Sequence, residues 1–151
     1  MHRIKIHQGG VASLDVEAVV NSRYPEMKTY IPYGNQPSDS PDVGDVLVIP
    51  SSEKIIIEAI GPFWRGGDHQ EEQKLATCYA NAMEAAKQHS VRSIAFNPIS
   101  CGPFGFPANR ASRIAIQQIA LSLRLNPFIE SVTLCCADPV STALYRNQIG
   151  K

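Results

Sequence analysis

The chain has 151 residues, with 14 lysine and arginine residues against 14 aspartate and glutamate residues and 44% hydrophobic residues. This length suits one domain with a sizeable core and is too short for two, so we expect residues 1–151 to form a single domain. Balanced charge gives no indication of a general electrostatic attraction to nucleic acid, although it leaves a local basic patch open, and no apolar run approaches the roughly 20 residues of a membrane span. Neither nucleic acid nor a membrane is therefore an expected partner.

Two strands are predicted near the start of the chain. Residues 3–7 alternate polar and apolar side chains, as in a half-exposed strand, and residues 18–20 form an apolar run typical of a buried strand that leads into Asn21. A glycine pair turns the chain between them. Residues 22–44 contain several prolines and no apolar periodicity, so we predict a long Pro-rich loop whose conformation the sequence leaves open.

The middle of the chain predicts a hairpin followed by a helix. Residues 46–49 and 55–60 are β-branched runs, close enough in sequence for two antiparallel strands. Asp68 and Glu71 then form a capping-box pattern, in which Asp68 accepts from backbone N–H groups and Glu71 reaches back. Apolar residues at helical spacing extend the helix to about His89.

The second half of the chain alternates strands and helices. Strands are predicted at residues 92–96 and 129–136; one helix has Pro107 at its first position and another is capped by Asp138. This alternation predicts right-handed βαβ units and a sheet covered on both faces. The expected fold class is therefore α/β, a three-layer α/β/α arrangement with a mixed, largely parallel sheet and an antiparallel edge.

The run from Ser93 to Pro107 places a tight glycine turn between an apolar strand and a helix. Such a loop can turn successive backbone N–H groups toward one point, and glycine lets the backbone approach phosphate oxygens. Ligands of open α/β sheets bind outside the carboxyl ends of the strands. Taken alone, the pair Gly102 and Gly105 indicates either a phosphate site or a turn made for packing, and both interpretations stay open.

The cysteines and histidines show no spacing typical of a metal site or of a disulfide framework, so no metal and no cofactor are expected. The cysteines are interpreted as reduced thiols, and with no signal-peptide core at the start of the chain we expect a cytoplasmic protein. Cysteine phosphatases also carry a cysteine beside a glycine turn, but they need an arginine where Pro107 stands, which argues against Cys101 as a nucleophile.

The order of the motifs resembles the macro domain, an ADP-ribose-binding α/β/α module. The family has a Gly-Asp-Ile turn, a Val-Asp-Ala-Ile-Val-Asn strand end, a Gly-Pro-x-Trp-x-Gly-Gly segment, a Cys-Tyr-x-Asn helix and a Ser-Ile-Ala-Phe-Pro-Ala-Ile-Ser-Thr-Gly-x-Tyr-Gly-x-Pro run. The corresponding segments of this chain are residues 9–11, 16–21, 61–67, 78–81 and 93–107. The resemblance covers nearly the whole chain except residues 22–42.

The resemblance implies binding of ADP-ribose or a related nucleotide diphosphate through the strand-loop-helix at residues 99–107, with Phe104 against the distal ribose. It also implies that the chain could hydrolyse O-acetyl-ADP-ribose or an ADP-ribosyl ester, although no catalytic residue can be named. Core packing stays open for Phe104 and Phe106, turn closure for Asn21, and helix capping for Asp138. The candidate ligand-binding residues are Asn21, Ile99, Ser100, Cys101, Gly102, Pro103, Phe104, Gly105, Phe106 and Asp138.

The chain also departs from the family pattern. Gly10 replaces the acid that hydrogen-bonds adenine, so Glu17 or Asp138 would have to substitute for it. Tyr24 stands at the position of the asparagine that orients the ribose or water, Ala137 stands at the position of the aromatic under adenine, and the first glycine-rich phosphate loop is absent. The alternative is a degenerate macro domain that acts as a protein-interaction module or homo-oligomer without a nucleotide ligand.

Overall fold

A computed structural model describes residues 3–11, 14–23, 43–68, 70–99 and 105–149. Its elements follow in the order β1 (Ile4–Gln8), β2 (Ala18–Arg23), β3 (Val46–Pro50), β4 (Ile55–Ile60), α1 (Glu71–Gln88), β5 (Ser93–Phe96), α2 (Ala108–Leu125), β6 (Ser131–Cys136) and α3 (Pro139–Ile149). Each of these strands and helices was expected within a few residues. The predicted loop at 22–44 begins too early, since β2 pairs with β4 as far as Arg23, and residues 24–42 lie outside the described residues.

The strands within the described residues form one mixed sheet in the order β1-β6-β5-β2-β4-β3. The pairs β1–β6, β6–β5, β5–β2 and β2–β4 are parallel. The predicted hairpin is confirmed, because β3 pairs antiparallel with β4, with Val48 opposite Ile57, and β3 is an edge strand. The mixed, largely parallel sheet with an antiparallel edge is therefore as expected.

The core lies between one face of the sheet and the helices. Val20, Ile57 and Phe96 are in register on neighbouring strands, are fully buried and belong to one cluster with residues of all three described helices. On the opposite face, Val19 and Ala95 are in register and are also buried. The centre of the sheet is thus shielded from water on both sides, as a parallel sheet requires.

The helix starts differ from the sequence predictions in two places. The capping box is wrong: α1 begins at Glu71 itself, after Gln70 at φ +63, without a side-chain cap hydrogen bond, and the Glu71 carboxylate accepts from loop N–H groups instead. Pro107 is the residue before α2 and not its first residue. The capping role of Asp138 is confirmed, because its Oδ1 accepts from the Ser141 N–H at 2.7 Å.

In the part of the chain that the structure describes, none of the helices combines the length and the apolar character that a bilayer crossing demands.

Candidate functional site

The candidate site lies at the carboxyl edge of the parallel strands. β2 and β5 are parallel neighbours, but β5 is followed in sequence by β6 on one side, whereas β2 is followed by β3 and β4 on the other. The strands that follow β5 and β2 in the chain therefore lie on opposite sides of this pair, which makes it a topological switch point. A crevice at such a point, outside the carboxyl ends of the strands, is the usual ligand position in open α/β sheets.

Two asparagines meet where β5 and β2 end. Asn97 Nδ2 donates to Asn21 Oδ1 at 2.6 Å, and the Asn97 backbone N–H donates to the Val20 carbonyl at 2.9 Å. Both side chains are half-buried. Asn21 was a predicted site residue, whereas Asn97 was not singled out. The sequence feature that could have identified Asn97 is its place directly after an apolar strand, at a position where the family run has proline.

The passage from β5 to α2 is described at both of its ends. Ile99 is fully buried, Gly105 is exposed with φ +79, and Phe106 is buried in the core. The core-packing interpretation holds for the Phe106 side chain, so this residue could contribute only its backbone to a ligand. The candidates Ser100, Cys101, Gly102, Pro103 and Phe104 lie outside the described residues.

Asp138 follows β6 at the same edge and is exposed. Its carboxylate accepts from the backbone N–H of Ser141 and, at 3.3 Å, from the Ser141 hydroxyl, while its carbonyl accepts from Thr142 Oγ1 at 2.8 Å. Helix capping accounts for these contacts. Asp138 remains a candidate for the adenine side only by its position.

Glu17 is excluded as a substitute for the adenine-binding acid. It precedes β2, and its Oε1 accepts from the Arg92 N–H at 2.7 Å while its carbonyl accepts from the Ile55 N–H at 3.0 Å. These partners stand at the amino ends of β5 and β4. The six residues of β2 separate Glu17 from the carboxyl edge by about 20 Å at the usual rise per residue of a strand.

Gly10 lies in the turn after β1, next to Gly9, whose N–H donates to the Cys136 carbonyl at 2.9 Å. Gly10 is exposed, and a Cβ built on it would have no atom within 4 Å. Nothing in the described surroundings therefore requires a glycine at this position, and a side chain would point into open space.

The described cysteines are poor nucleophiles. Burial raises the pKa of Cys78 to about 12 and that of Cys136 to about 11, and it also raises the pKa of Cys135. The Cys78 thiol donates to the Ile60 carbonyl at 3.2 Å. The thiolate is the nucleophile, so a raised pKa lowers the reactivity of these cysteines at neutral pH. Cys101 lies outside the described residues.

No group of three or more His, Cys, Asp or Glu side chains is arranged to hold a metal ion in the described ranges. His89 lies at the end of α1 with Nδ1 2.9 Å from the Ala85 carbonyl. The side chains at the candidate edge, two amides and a capping carboxylate, suit hydrogen bonds to hydroxyl groups more than metal coordination.

The fold and this edge are those of a known class of α/β module. The chain belongs to the macro domain family, whose model matches residues 7–115. A macro domain-containing protein of Methanosarcina mazei is 29% identical over 99% of this chain and 89% of its own length. A protein of Klebsiella pneumoniae named O-acetyl-ADP-ribose deacetylase is 41% identical over 60% of this chain.

The match with the Klebsiella protein spans about half of that relative, 52% of its length. Among solved structures, the Trypanosoma brucei macrodomain in complex with ADP-ribose superposes with a TM-score of 0.81 and 19% identity, covering 98% of this chain and 69% of that one. These likenesses confirm the resemblance seen in the sequence and the expected fold class.

Proposed function

We propose that this chain binds ADP-ribose or a related nucleotide diphosphate at the carboxyl edge of its sheet, through the strand-loop-helix at residues 99–107. The observation that carries this proposal is the described part of the passage from β5 into α2: the Asn97 N–H donates to the Val20 carbonyl near the end of β2, and Gly105 has φ +79 before α2. Macro-domain membership supports the ligand class, since a structural relative is described in complex with ADP-ribose. The proposal treats residues 1–151 as a single macro-like domain.

The diphosphate is assigned to the start of α2 and the loop before it. Among the described residues, no side-chain hydrogen bond caps the N-terminus of α2, and its first turn contains no acidic residue. The orphan N–H groups and the positive end of the helix dipole therefore favour an anion. The proposed backbone contacts come from Ile99, Gly105 and Phe106, and from the undescribed residues Ser100, Cys101, Gly102 and Pro103.

The distal ribose is assigned to the pair Asn21 and Asn97. The Asn21 and Asn97 amides offer donors and acceptors of the kind that sugar hydroxyls use. Phe104, as the resemblance implies, supplies the apolar wall of this subsite, and Asp138 is assigned to the adenine side. A cytoplasmic location and a homo-oligomeric state remain predictions from the sequence.

Weak hydrolysis of O-acetyl-ADP-ribose is a second proposed activity, favoured by the relative named O-acetyl-ADP-ribose deacetylase. In this reaction water adds to the acetyl carbonyl carbon, the ester C–O bond breaks, and acetate and ADP-ribose leave. No described residue stands out as the group that would activate the water. Acetate release that exceeds the uncatalysed rate and rises in proportion to protein concentration supports this activity, and release at the uncatalysed rate refutes it.

The test of binding is isothermal titration with ADP-ribose, using Gly105→Ala and Gly44→Ala as a pair. Both glycines have positive φ, +79 and +99, so both substitutions impose backbone strain, and a Cβ on Gly44 would meet only the exposed Thr77 side chain, at 3.2 Å. Binding by the unaltered chain and by Gly44→Ala, weakened in Gly105→Ala, supports the proposal. No heat at millimolar ligand, together with no thermal shift, refutes it and favours the protein-interaction module. Ligand at 100 times its Kd adds about 2.7 kcal/mol to the free energy of unfolding.

A further inference from the structure

Glu71 is a buried acid at the first position of α1, with 2% of its surface exposed. Its Oε2 accepts hydrogen bonds from the backbone N–H groups of Arg65 at 2.7 Å and Gly67 at 3.0 Å. Burying a carboxylate is costly unless hydrogen bonds to it offset the lost hydration. An acid in the first turn interacts favourably with the helix dipole, but Glu72 supplies such an acid in the same turn while it stays partly exposed. The dipole therefore does not explain why Glu71 is buried.

The two hydrogen bonds fix the chain between β4 and α1, residues 61–67, which we call the Trp64 segment. Gly66 and Gly67 both have positive φ, +95 and +96, which turns the segment back toward the start of α1. The Trp64 ring lies against the Gly67 backbone, since a Cβ built on Gly67 would stand 3.1 Å from Trp64 Cη2. The Glu71 carboxylate thus holds the backbone on which the indole rests.

Trp64 in turn contacts the chain where it enters α2. Its ring centroid is 4.9 Å from that of Phe106, and the Arg110 guanidinium carbon lies 5.4 Å above the ring. A Cβ built on Gly105 would lie 3.9 Å from Trp64 Cβ. One side chain therefore packs against the end of the candidate ligand loop and against the first turn of the helix that follows it.

We propose that Glu71 is a positioning residue for the candidate ligand site, acting through Trp64; this inference rests on the proposed function. Loop N–H groups bind a diphosphate tightly only if they are held in place before the ligand arrives, since ordering them on binding weakens affinity. The carboxylate fixes the Trp64 segment, Trp64 fixes Gly105 and Phe106, and the acid itself does not contact the ligand.

The test compares Glu71→Gln with Glu72→Gln in ADP-ribose titrations. Both variants remove one negative charge from the first turn of α1, but only the first replaces the charged acceptor of the Arg65 and Gly67 N–H groups with a neutral amide. We expect Glu71→Gln to weaken binding about tenfold, because charge-assisted hydrogen bonds are roughly twice as strong as neutral ones. Glu72→Gln should stay within about twofold of the unaltered chain, as surface ion pairs contribute little.

Trp64 is the chain's single tryptophan, so its fluorescence reports directly on this contact. The emission of the unaltered chain and of Glu72→Gln should change on titration with ADP-ribose. In Glu71→Gln the ligand-free emission should lie further to the red, since a loosened indole meets more water, and saturation should require more ligand. Thermal melts of all three proteins establish that they are folded at the temperature of titration.

A second pair of variants covers the case in which Glu71→Gln does not fold. Trp64 is only half-buried, so Trp64→Leu and Trp64→Phe should both fold. Trp64→Phe keeps an aromatic ring for Phe106 and Arg110 and should bind within about threefold of the unaltered chain, whereas Trp64→Leu loses both ring contacts and should bind about tenfold more weakly.

The outcomes separate the two proposals. If the unaltered chain binds ADP-ribose and folded Glu71→Gln binds as tightly as Glu72→Gln, or Trp64→Leu as tightly as Trp64→Phe, the positioning role is refuted and the proposed function stands. If the unaltered chain does not bind, the proposed function fails and this inference fails with it. Selective weakening in Glu71→Gln and Trp64→Leu supports both.

Discussion

The side-chain amide of Asn97 donates to Oδ1 of Asn21 at 2.6 Å and joins the end of β5 to the end of β2. This bond determines which end of the Asn21 amide faces Asn97, and therefore the direction of its NH₂ group. Because the strands that follow β5 and β2 in the chain lie on opposite sides of this pair, the asparagines stand at a topological switch point, where open α/β sheets usually bind ligands. A ligand bound there would meet an amide already held in one orientation.

The asparagine pair gives the first prediction. Asn97→Ala should lower the free energy of unfolding by about 1 kcal/mol, the usual contribution of one hydrogen bond, and weaken ADP-ribose binding about fivefold because Asn21 loses its orientation. Urea denaturation and isothermal titration measure the two effects.

The control for this prediction is Asn81→Ala. Asn81 is also half-buried, and its side chain donates to the Gly44 carbonyl at 2.7 Å, beside the entry to β3. A similar loss of stability with unchanged affinity is expected. Equal affinity in both variants would show that the asparagine pair has no part in binding.

Gly10→Asp should restore discrimination for adenine. A Cβ at this position meets no atom within 4 Å, so the change should alter the free energy of unfolding by less than about 0.5 kcal/mol, the usual range for surface substitutions. A carboxylate there can accept from the adenine amino group and should tighten ADP-ribose binding about tenfold. Gly10→Ala is the control, and the hypoxanthine analogue, which lacks the amino group, should gain nothing. Equal gains for both ligands would mean that the acid does not contact the base.

Arg3 should stabilise the end of α2. Its guanidinium donates to the carbonyls of Leu123 at 2.8 Å, Ile129 at 2.7 Å and Asn126 at 3.4 Å, which ties β1 to the chain between α2 and β6. Arg3→Met should cost about 2 kcal/mol in urea denaturation, and Arg3→Lys should recover less than half, because an ammonium cannot reproduce the fork of donors. Lys5→Met, two residues further along the chain, in β1 and exposed, serves as the control. A cost for Arg3→Met no larger than that for Lys5→Met would contradict this role.

Stability should fall in alkaline solution because of Cys78. Burial raises its pKa from 9.0 to about 12 in the folded chain, so above pH 9 the unfolded chain binds fewer protons than the folded one. The contribution is fully present below pH 9 and is lost as pH rises toward 12, by up to about 1.4 kcal/mol for each pH unit. Unfolding free energies measured between pH 8 and about 10.5 should decline more steeply in the unaltered chain than in Cys78→Ala. Parallel profiles would contradict the burial effect.

The sheet was predictable because period and composition are local properties of the chain. The β-branched runs of β3 and β4 and the capping aspartate before α3 were correctly identified from their own residues. The capping box was not, because the positive φ of Gln70 and the two glycines of the Trp64 segment decide which N–H groups the Glu71 carboxylate meets. That geometry depends on Trp64 packing, which no short pattern encodes.

The site was predictable only in part. Asn21 lies at the expected edge, but its side chain bonds to Asn97 at the end of another strand. Which strands are neighbours cannot be derived from the residues of one segment. Glu17 was misjudged for the same reason, since its position before β2 places it at the opposite edge, against Arg92. Whether an acid lies at the amino or at the carboxyl edge of the sheet depends on the direction and register of its strand, and tertiary contacts determine both.

The measurement that tests the central claim most directly is a titration of the ¹⁵N-labelled chain with ADP-ribose, followed by backbone amide shifts. Saturable shifts are expected at Asn21, Asn97 and Gly105, at the carboxyl edge, and unchanged signals for Glu17, Ile55 and Arg92, at the opposite edge. Absent shifts at millimolar ligand, or shifts confined to the opposite edge, would contradict that claim.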